Sequence, residues 1–249
     1  MLLITRKYRK GRLCKMSIQE NLNRIRGQID AATARSQKSG SEISLVAVSK
    51  YSTAEDVLEA ARLGQTVFAE NRVQQLMEKW SRLEELRGQG VEIPKLTWHL
   101  IGHLQTNKVK YIVGKVDLIH SVDSIHLAEE IERQSARKGV VSQILLEVNV
   151  SGEESKSGIA LEEIDNFCKE MERFSNVQLK GLMTMAPKGA EEAELRRIFS
   201  TLYEKFVDKK HQMMHNVDMT YLSMGMSADF EVAIEEGANM IRVGHGVFL

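Results

Sequence analysis

The segment Leu45-Val46-Ala47-Val48-Ser49-Lys50-Tyr51-Ser52-Thr53 decides how this chain is read. Four apolar residues run into a small polar one and then an amine, after which a helical pattern begins. A short continuous apolar run bounded by turn residues marks a strand buried on both faces, as in a parallel sheet. If that sheet closes into a barrel, Lys50 stands at the C-terminal end of a strand. Barrels mount their chemistry at that end, and an amine there is suited to Schiff-base formation.

Working outward, seven further β-like segments fall at 66–70, 97–101, 117–121, 143–149, 178–184, 220–224 and 240–243, after the first at 44–49. Helical patterns separate them near 54–63, 71–87, 106–113, 124–138, 161–173, 191–213 and 228–236. Strict alternation implies parallel strands with right-handed crossovers, and eight such units predict a TIM-type (β/α)8 barrel. Ahead of the first strand, Ser17 and Glu20 have capping-box spacing, and Ile18, Leu22, Ile25, Ile29 and Ala32 recur at helical intervals. Few residues follow Gly244, so the last strand is expected to lack a helix of its own and to be covered by the N-terminal helix, residues 17–37. A doubly wound open sheet is the alternative, although no glycine-rich dinucleotide fingerprint follows the first strand.

The chain has 249 residues, enough for one large barrel domain over 16–249. Residues 1–15 carry Arg6, Lys7, Arg9, Lys10, Arg12 and Lys15 without an acid and read as a basic disordered tail. A solvated extension, or a start codon upstream of Met16, is favoured there over an organelle-targeting segment. Thirty-four basic and thirty-four acidic residues cancel, so no overall field draws nucleic acid or an anionic membrane. Cys14 and Cys168 have neither disulfide-framework nor zinc-ligand spacing, and no stretch approaches the roughly 20 apolar residues of a membrane span. A soluble protein of a reducing, cytoplasmic compartment is expected.

Four loops after the strands carry suggestive groups: Lys50, Glu70-Asn71, Met224-Gly225-Met226-Ser227, and Arg242-Val243-Gly244-His245-Gly246. The last two follow strands 7 and 8, where such barrels commonly bind phosphate through backbone N–H groups. Gly225 permits a tight turn, Ser227 can cap the next helix, and Gly244 and Gly246 let backbone approach an anion. Taken alone, Ser227 is an ordinary cap, Lys50 an amine reaching water, and Arg242 half of an ion pair. To act as a largely neutral nucleophile near pH 7, Lys50 needs its pKa lowered by about 3 units, which burial and a cation such as Arg242 can supply. His99 and His103 share a four-residue spacing but straddle a strand end, so they read as wall or rim residues with no metal. Met183, Met185, Met224 and Met226 read as core and rim packing. Residues 151–158 read equally as a mobile loop over the mouth and as a solvated turn.

Taken together, Leu45-Val46-Ala47-Val48-Ser49-Lys50, Phe68-Ala69-Glu70-Asn71, Trp98-His99-Leu100-Ile101-Gly102-His103-Leu104-Gln105-Thr106-Asn107-Lys108, Gly181-Leu182-Met183-Thr184-Met185-Ala186, Leu222-Ser223-Met224-Gly225-Met226-Ser227-Ala228-Asp229 and Arg242-Val243-Gly244 resemble the motifs of the pyridoxal phosphate homeostasis proteins. The fold of that family is similar to the N-terminal barrel of alanine racemase. The resemblance implies a Schiff base between Lys50 and pyridoxal 5′-phosphate, phosphate contacts from Ser227 and Gly244, Arg242 facing the pyridine nitrogen, and Asn71 beside the cofactor. An arginine in that position disfavours protonation of the ring nitrogen and weakens the ring as an electron sink. His245 departs from the threonine usual in the family. An imidazole N–H can replace the hydroxyl as a donor, at the cost of pH dependence near 6 to 7. Phe68-Ala69 replaces the usual Phe-Gly.

The resemblance favours a monomeric carrier that stores pyridoxal phosphate and passes it to apo-enzymes. An amino-acid racemase is the rival. It requires a second acid–base group opposite the lysine, which a further β-domain supplies in the racemases and which Tyr51 would fill here only by turning into the mouth. A cofactor-free lysine aldolase is a third, weaker reading.

Overall fold

The computed structural model describes residues 16–38, 42–153 and 156–249. The expected basic tail, with Cys14, and residues 154–155 of the expected loop lie outside the described residues. Eight strands run in chain order: β1 (Ser44–Val48), β2 (Val67–Glu70), β3 (Thr97–Leu100), β4 (Leu118–Val122), β5 (Ser142–Glu147), β6 (Val177–Met183), β7 (Val217–Ser223) and β8 (Met240–Val243). Each pairs in parallel with the next, and β1 pairs with β8, closing the barrel and removing the open-sheet alternative.

Period-two alternation sorts the strand residues. Val46, Val48, Ala69, Leu118, Leu145, Met183 and Met240 point inward and form their own apolar cluster. Their neighbours Ala47, Phe68, Leu100, Ile144 and Leu182 point outward into the shell shared with the helices. Those helices are α1 (Ile18–Arg35), α2 (Ala54–Arg62), α3 (Val73–Gly88), α4 (Val109–Ile112), α5 (Ile125–Lys138), α6 (Ile164–Met171), α7 (Glu192–Lys210), α8 (Phe230–Glu235) and α9 (His245–Phe248).

The N-terminal helix α1 begins with the capping box that its sequence announces: Ser17 Oγ accepts from the Glu20 N–H while Glu20 accepts from the Ser17 N–H. Its buried stripe of Leu22, Ile25, Ile29 and Ala32 packs on α8 and α9. Burial of each Leu or Ile contributes about 1.5–3 kcal/mol, far more than the exposed ion pairs of Arg35 with Glu231 and Glu235.

Three expectations need correction. The segment after β8 is not bare: Val247 and Phe248 are buried, and their burial pulls the chain into the single turn α9. Asn21 and Arg24 of α1 donate to the carbonyls of Val247 and Gly246 on that turn, so α1 covers the end of β8 together with α9. The helices expected at 106–113 and 161–173 each open as a 3₁₀ turn, at Thr106–Lys108 and Leu161–Glu163, before a short α segment. Strand β7 starts at Val217, three residues early, because Asn216 takes a left-handed turn (φ 60°) immediately before it. Among the described residues no helix is long and apolar enough to cross a membrane.

Candidate functional site

Lys50 follows β1 in a tight turn. The Ser49 N–H donates to the Ala69 carbonyl at 3.0 Å, and the Ser49 carbonyl accepts from the Ser52 N–H and hydroxyl, each at 2.9 Å. The Thr53–Asp56 capping box then starts α2. This geometry leaves Lys50 half-buried at the barrel mouth. Its amine makes no hydrogen bond or ion pair with any described residue and lies 5.0 Å from the centre of the Tyr51 ring. Tyr51 is 67% exposed and packs against the His245 ring at 5.3 Å, so it stands on the rim.

Across the mouth, the turn after β7 depends on Gly225. Its φ is +90°, and a Cβ there would lie 2.6 Å from that of Ala233. The Asp229 carboxylate accepts from the Met226 N–H at 2.5 Å, and α8 begins after Asp229. Ser227 therefore does not cap the helix, contrary to the sequence reading. Its exposed hydroxyl has no partner among the described residues and lines the mouth. After β8, Gly244 brings backbone against β1, where an added Cβ would lie 3.1 Å from the Val48 carbonyl oxygen.

Below the mouth sits Arg242, 3% exposed. It donates to Ser223 Oγ at 2.6 Å and to the Thr184 carbonyl at 2.9 Å. It forms no ion pair among the described residues, which removes the bland reading of this arginine. Burial lowers its pKa while Asp229 and Glu147 raise it, and at neutral pH the guanidinium remains charged. Ser223 Oγ lies 3.1 Å from His120 Nδ1, and His120 Nε2 lies 3.0 Å from His99 Nδ1. Arginine only donates, so the serine hydroxyl proton is directed to His120 Nδ1, and His120 Nε2–H donates to His99. Both rings are neutral in this assignment. Burial holds His99 down to about 4 and His120 well below its ordinary value, the latter also through His99 and Arg242.

Lys50, Asn71, Ser227, Arg242, Gly244 and His245, all nominated from sequence, line one cavity of about 270 Å³. Val48, Ile101, Met185 and Met226 supply its apolar walls. Met183 and Met224 are buried core residues, so the methionines divide between packing and the cavity wall. Glu70 faces outward to α3 and does not reach the cavity. His99 is an interior wall residue and His103 an exposed rim residue. No group of three or more potential metal ligands occurs among the described residues.

Sequence reasoning missed Glu147. This carboxyl is 4% exposed on the inner face at the end of β5, and burial together with Asp123 pushes its pKa up to about 7 against the pull of Arg242. It also missed His120 and Ser223. The signal was available in each case as a polar residue of inward parity in an apolar strand.

The closed parallel barrel carries a lysine after β1 with no partner among the described residues, a buried arginine on β8 and glycine turns after β7 and β8, on a fold like that of the alanine racemase N-terminal domain. The family model for the alanine racemase N-terminal domain matches residues 19–249. The Aquifex aeolicus pyridoxal phosphate homeostasis protein is 40% identical over 94% of this chain and 98% of its own length. The Escherichia coli K12 protein of the same name is 34% identical over 93% and 95%. The chain belongs to the pyridoxal phosphate homeostasis protein family. PipY of Synechococcus elongatus, solved with pyridoxal phosphate bound, is 34% identical and superposes with a TM-score of 0.80 over 94% of this chain and all of PipY. Clostridium difficile alanine racemase, 16% identical with a TM-score of 0.61, shares the fold over 93% of this chain and 55% of the racemase.

Proposed function

We propose that this protein binds pyridoxal 5′-phosphate covalently through Lys50 and holds it for supply to other proteins, without strong catalysis of its own. The observation that carries the reading is the Lys50 amine and the Ser227 hydroxyl, neither with a partner among the described residues, sharing one small cavity with the close-approach backbone at Gly244. When bound, pyridoxal phosphate supplies an aldehyde that condenses with an amine and a ring that can withdraw electrons. Lys50 provides the amine. Ser227 and the turn at Gly244 and His245 would provide donors for the phosphate, and Asn71 would contribute a further polar contact.

Arg242, which lines the same cavity, would be the donor to the ring nitrogen in this reading. Two of its N–H groups are committed to Ser223 and Thr184, which leaves others to donate. A donor that stays charged and cannot accept keeps a proton off the ring nitrogen, so electron withdrawal is weak and retention is favoured over carbanion chemistry. Tyr51 sits beside Lys50 and packs on His245, which does not favour it as the opposing acid–base group of a racemase.

The test is the visible absorbance of purified protein and of Lys50→Ala, before and after adding pyridoxal phosphate and removing the excess. A band in wild type that is absent from the variant is expected. No band in loaded wild type would refute the binding function, and robust racemisation of an amino acid by loaded protein would refute the non-catalytic part.

A further inference from the structure

Behind Lys50, on the side away from the cavity, lies a buried ion pair that the proposed cofactor contacts do not use. Glu70 at the end of β2 is fully buried. Its Oε1 accepts from Ser49 Oγ at 2.6 Å and from Lys79 Nζ, on α3, at 2.5 Å. Lys79 Nζ donates a second time, to the Ser49 carbonyl at 2.8 Å. Every polar group of Ser49 is thereby held: the N–H by Ala69, the hydroxyl by Glu70, and the carbonyl by Lys79 and Ser52.

Stability alone is a poor reason for this arrangement. Desolvating two charges offsets most of their attraction, and an apolar pair of equal volume is often as stable or more so. Glu70 Oε2 is also buried with no partner among the described residues, which adds a cost that calls for an explanation. What the pair fixes is the backbone position of the residue joined directly to Lys50.

We propose that Glu70 and Lys79 are positioning residues for Lys50, acting through Ser49 to aim its amine at the bound aldehyde. The inference rests on Lys50 being the attachment residue. In that step the amine nitrogen bonds to the aldehyde carbon, and the carbonyl oxygen leaves as water with the two amine hydrogens, without oxidant or reductant. A misaimed amine weakens this covalent step and leaves phosphate and ring contacts intact.

Two ligands separate the effects: pyridoxal 5′-phosphate, which can condense, and pyridoxine 5′-phosphate, which carries a hydroxymethyl group in place of the aldehyde and cannot. Dissociation constants for both are measured on the full chain of wild type, Lys79→Met, Lys79→Arg and Ser49→Ala. Adduct formation is read independently as the mass retained after borohydride reduction. Lys79→Met is expected to weaken pyridoxal phosphate binding about tenfold, the size of one lost well-placed contact, and to leave pyridoxine phosphate binding unchanged. Lys79→Arg, which keeps the charge and donors, is expected to recover part of the loss. Ser49→Ala removes only the hydroxyl anchor and should act in the same direction, so it decides the matter should Lys79→Met not fold. Equal loss of both ligands, or loss of neither, overturns the inference. A wild type that takes up no covalent pyridoxal phosphate overturns the Lys50 assignment itself, which is a separate result.

Discussion

Replacing Glu147 with glutamine should stabilise the cofactor-free protein at alkaline pH and leave it nearly unchanged in acid. The folded state raises the Glu147 pKa from the ordinary 4.5 to about 7. Between those values the folded chain binds more protons than the unfolded one, so stability falls as pH rises through the window. At 1.36 kcal/mol per pH unit, the accumulated cost above pH 7 is about 3 kcal/mol. Glutamine has the same shape and no charge to desolvate, so Glu147→Gln avoids that cost. For a chain of this size each kcal/mol moves the melting temperature by about 2–4 °C. The variant should therefore gain about 6–12 °C over wild type at pH 8 relative to its difference at pH 4.5. His99, held down to about 4, acts in the opposite sense, because its unfolded state binds the extra proton and stability is lost as pH falls from 6.5 towards 4. That contribution is common to both proteins and cancels in the comparison. The assay is paired thermal melts by circular dichroism from pH 4.5 to 8.5. A melting difference that does not change with pH would refute the account of Glu147 as a carboxyl raised by burial.

Gly225→Ala forces a side chain into a backbone at φ +90° and places its Cβ 2.8 Å from Phe230 Cα. The combined strain and overpacking should cost at least about 3 kcal/mol in urea unfolding, and a loss under about 1 kcal/mol would contradict the turn geometry. Ser227→Ala should leave the melting temperature of the free protein unchanged, since the hydroxyl has no partner among the described residues. Under the proposed function it should weaken pyridoxal phosphate binding by about 10- to 100-fold in equilibrium dialysis, the value of a charge-assisted hydrogen bond. Unaltered affinity would move the phosphate away from the β7 turn.

The barrel was legible because parallel strands buried on both faces leave continuous apolar runs, and all eight were visible in order. Its edges were less so. Asn216 delays no hydrophobic pattern yet sets where β7 begins, and Val247-Phe248 is too short a signal to announce a helix until α1 is seen beneath it. Lys50, Asn71, Ser227, Arg242, Gly244 and His245 could be nominated because loops after parallel strands converge on one mouth. Glu147 and His120 obey the same parity and were passed over because a single polar residue inside an apolar run reads as an interruption. The tie from Lys79 to Ser49 joins residues 30 apart on different elements, and no local pattern encodes it.

The seam between β1 and β8 pairs Ser44 with Met240 and Val46 with Arg242, residues about 200 positions apart. Bringing such distant segments together costs about 5 kcal/mol of loop-closure entropy beyond a constant, so this joint belongs to the late, cooperative part of folding. Lys50 leaves the ring on one side of the joint and Gly244 on the other. A chain whose ring is still open has the amine without the turn that faces it, and therefore has no cavity. Under the proposed function, colour acquired with pyridoxal phosphate during refolding would count closed rings, and a ligand that touches both sides of the seam would act as its clasp.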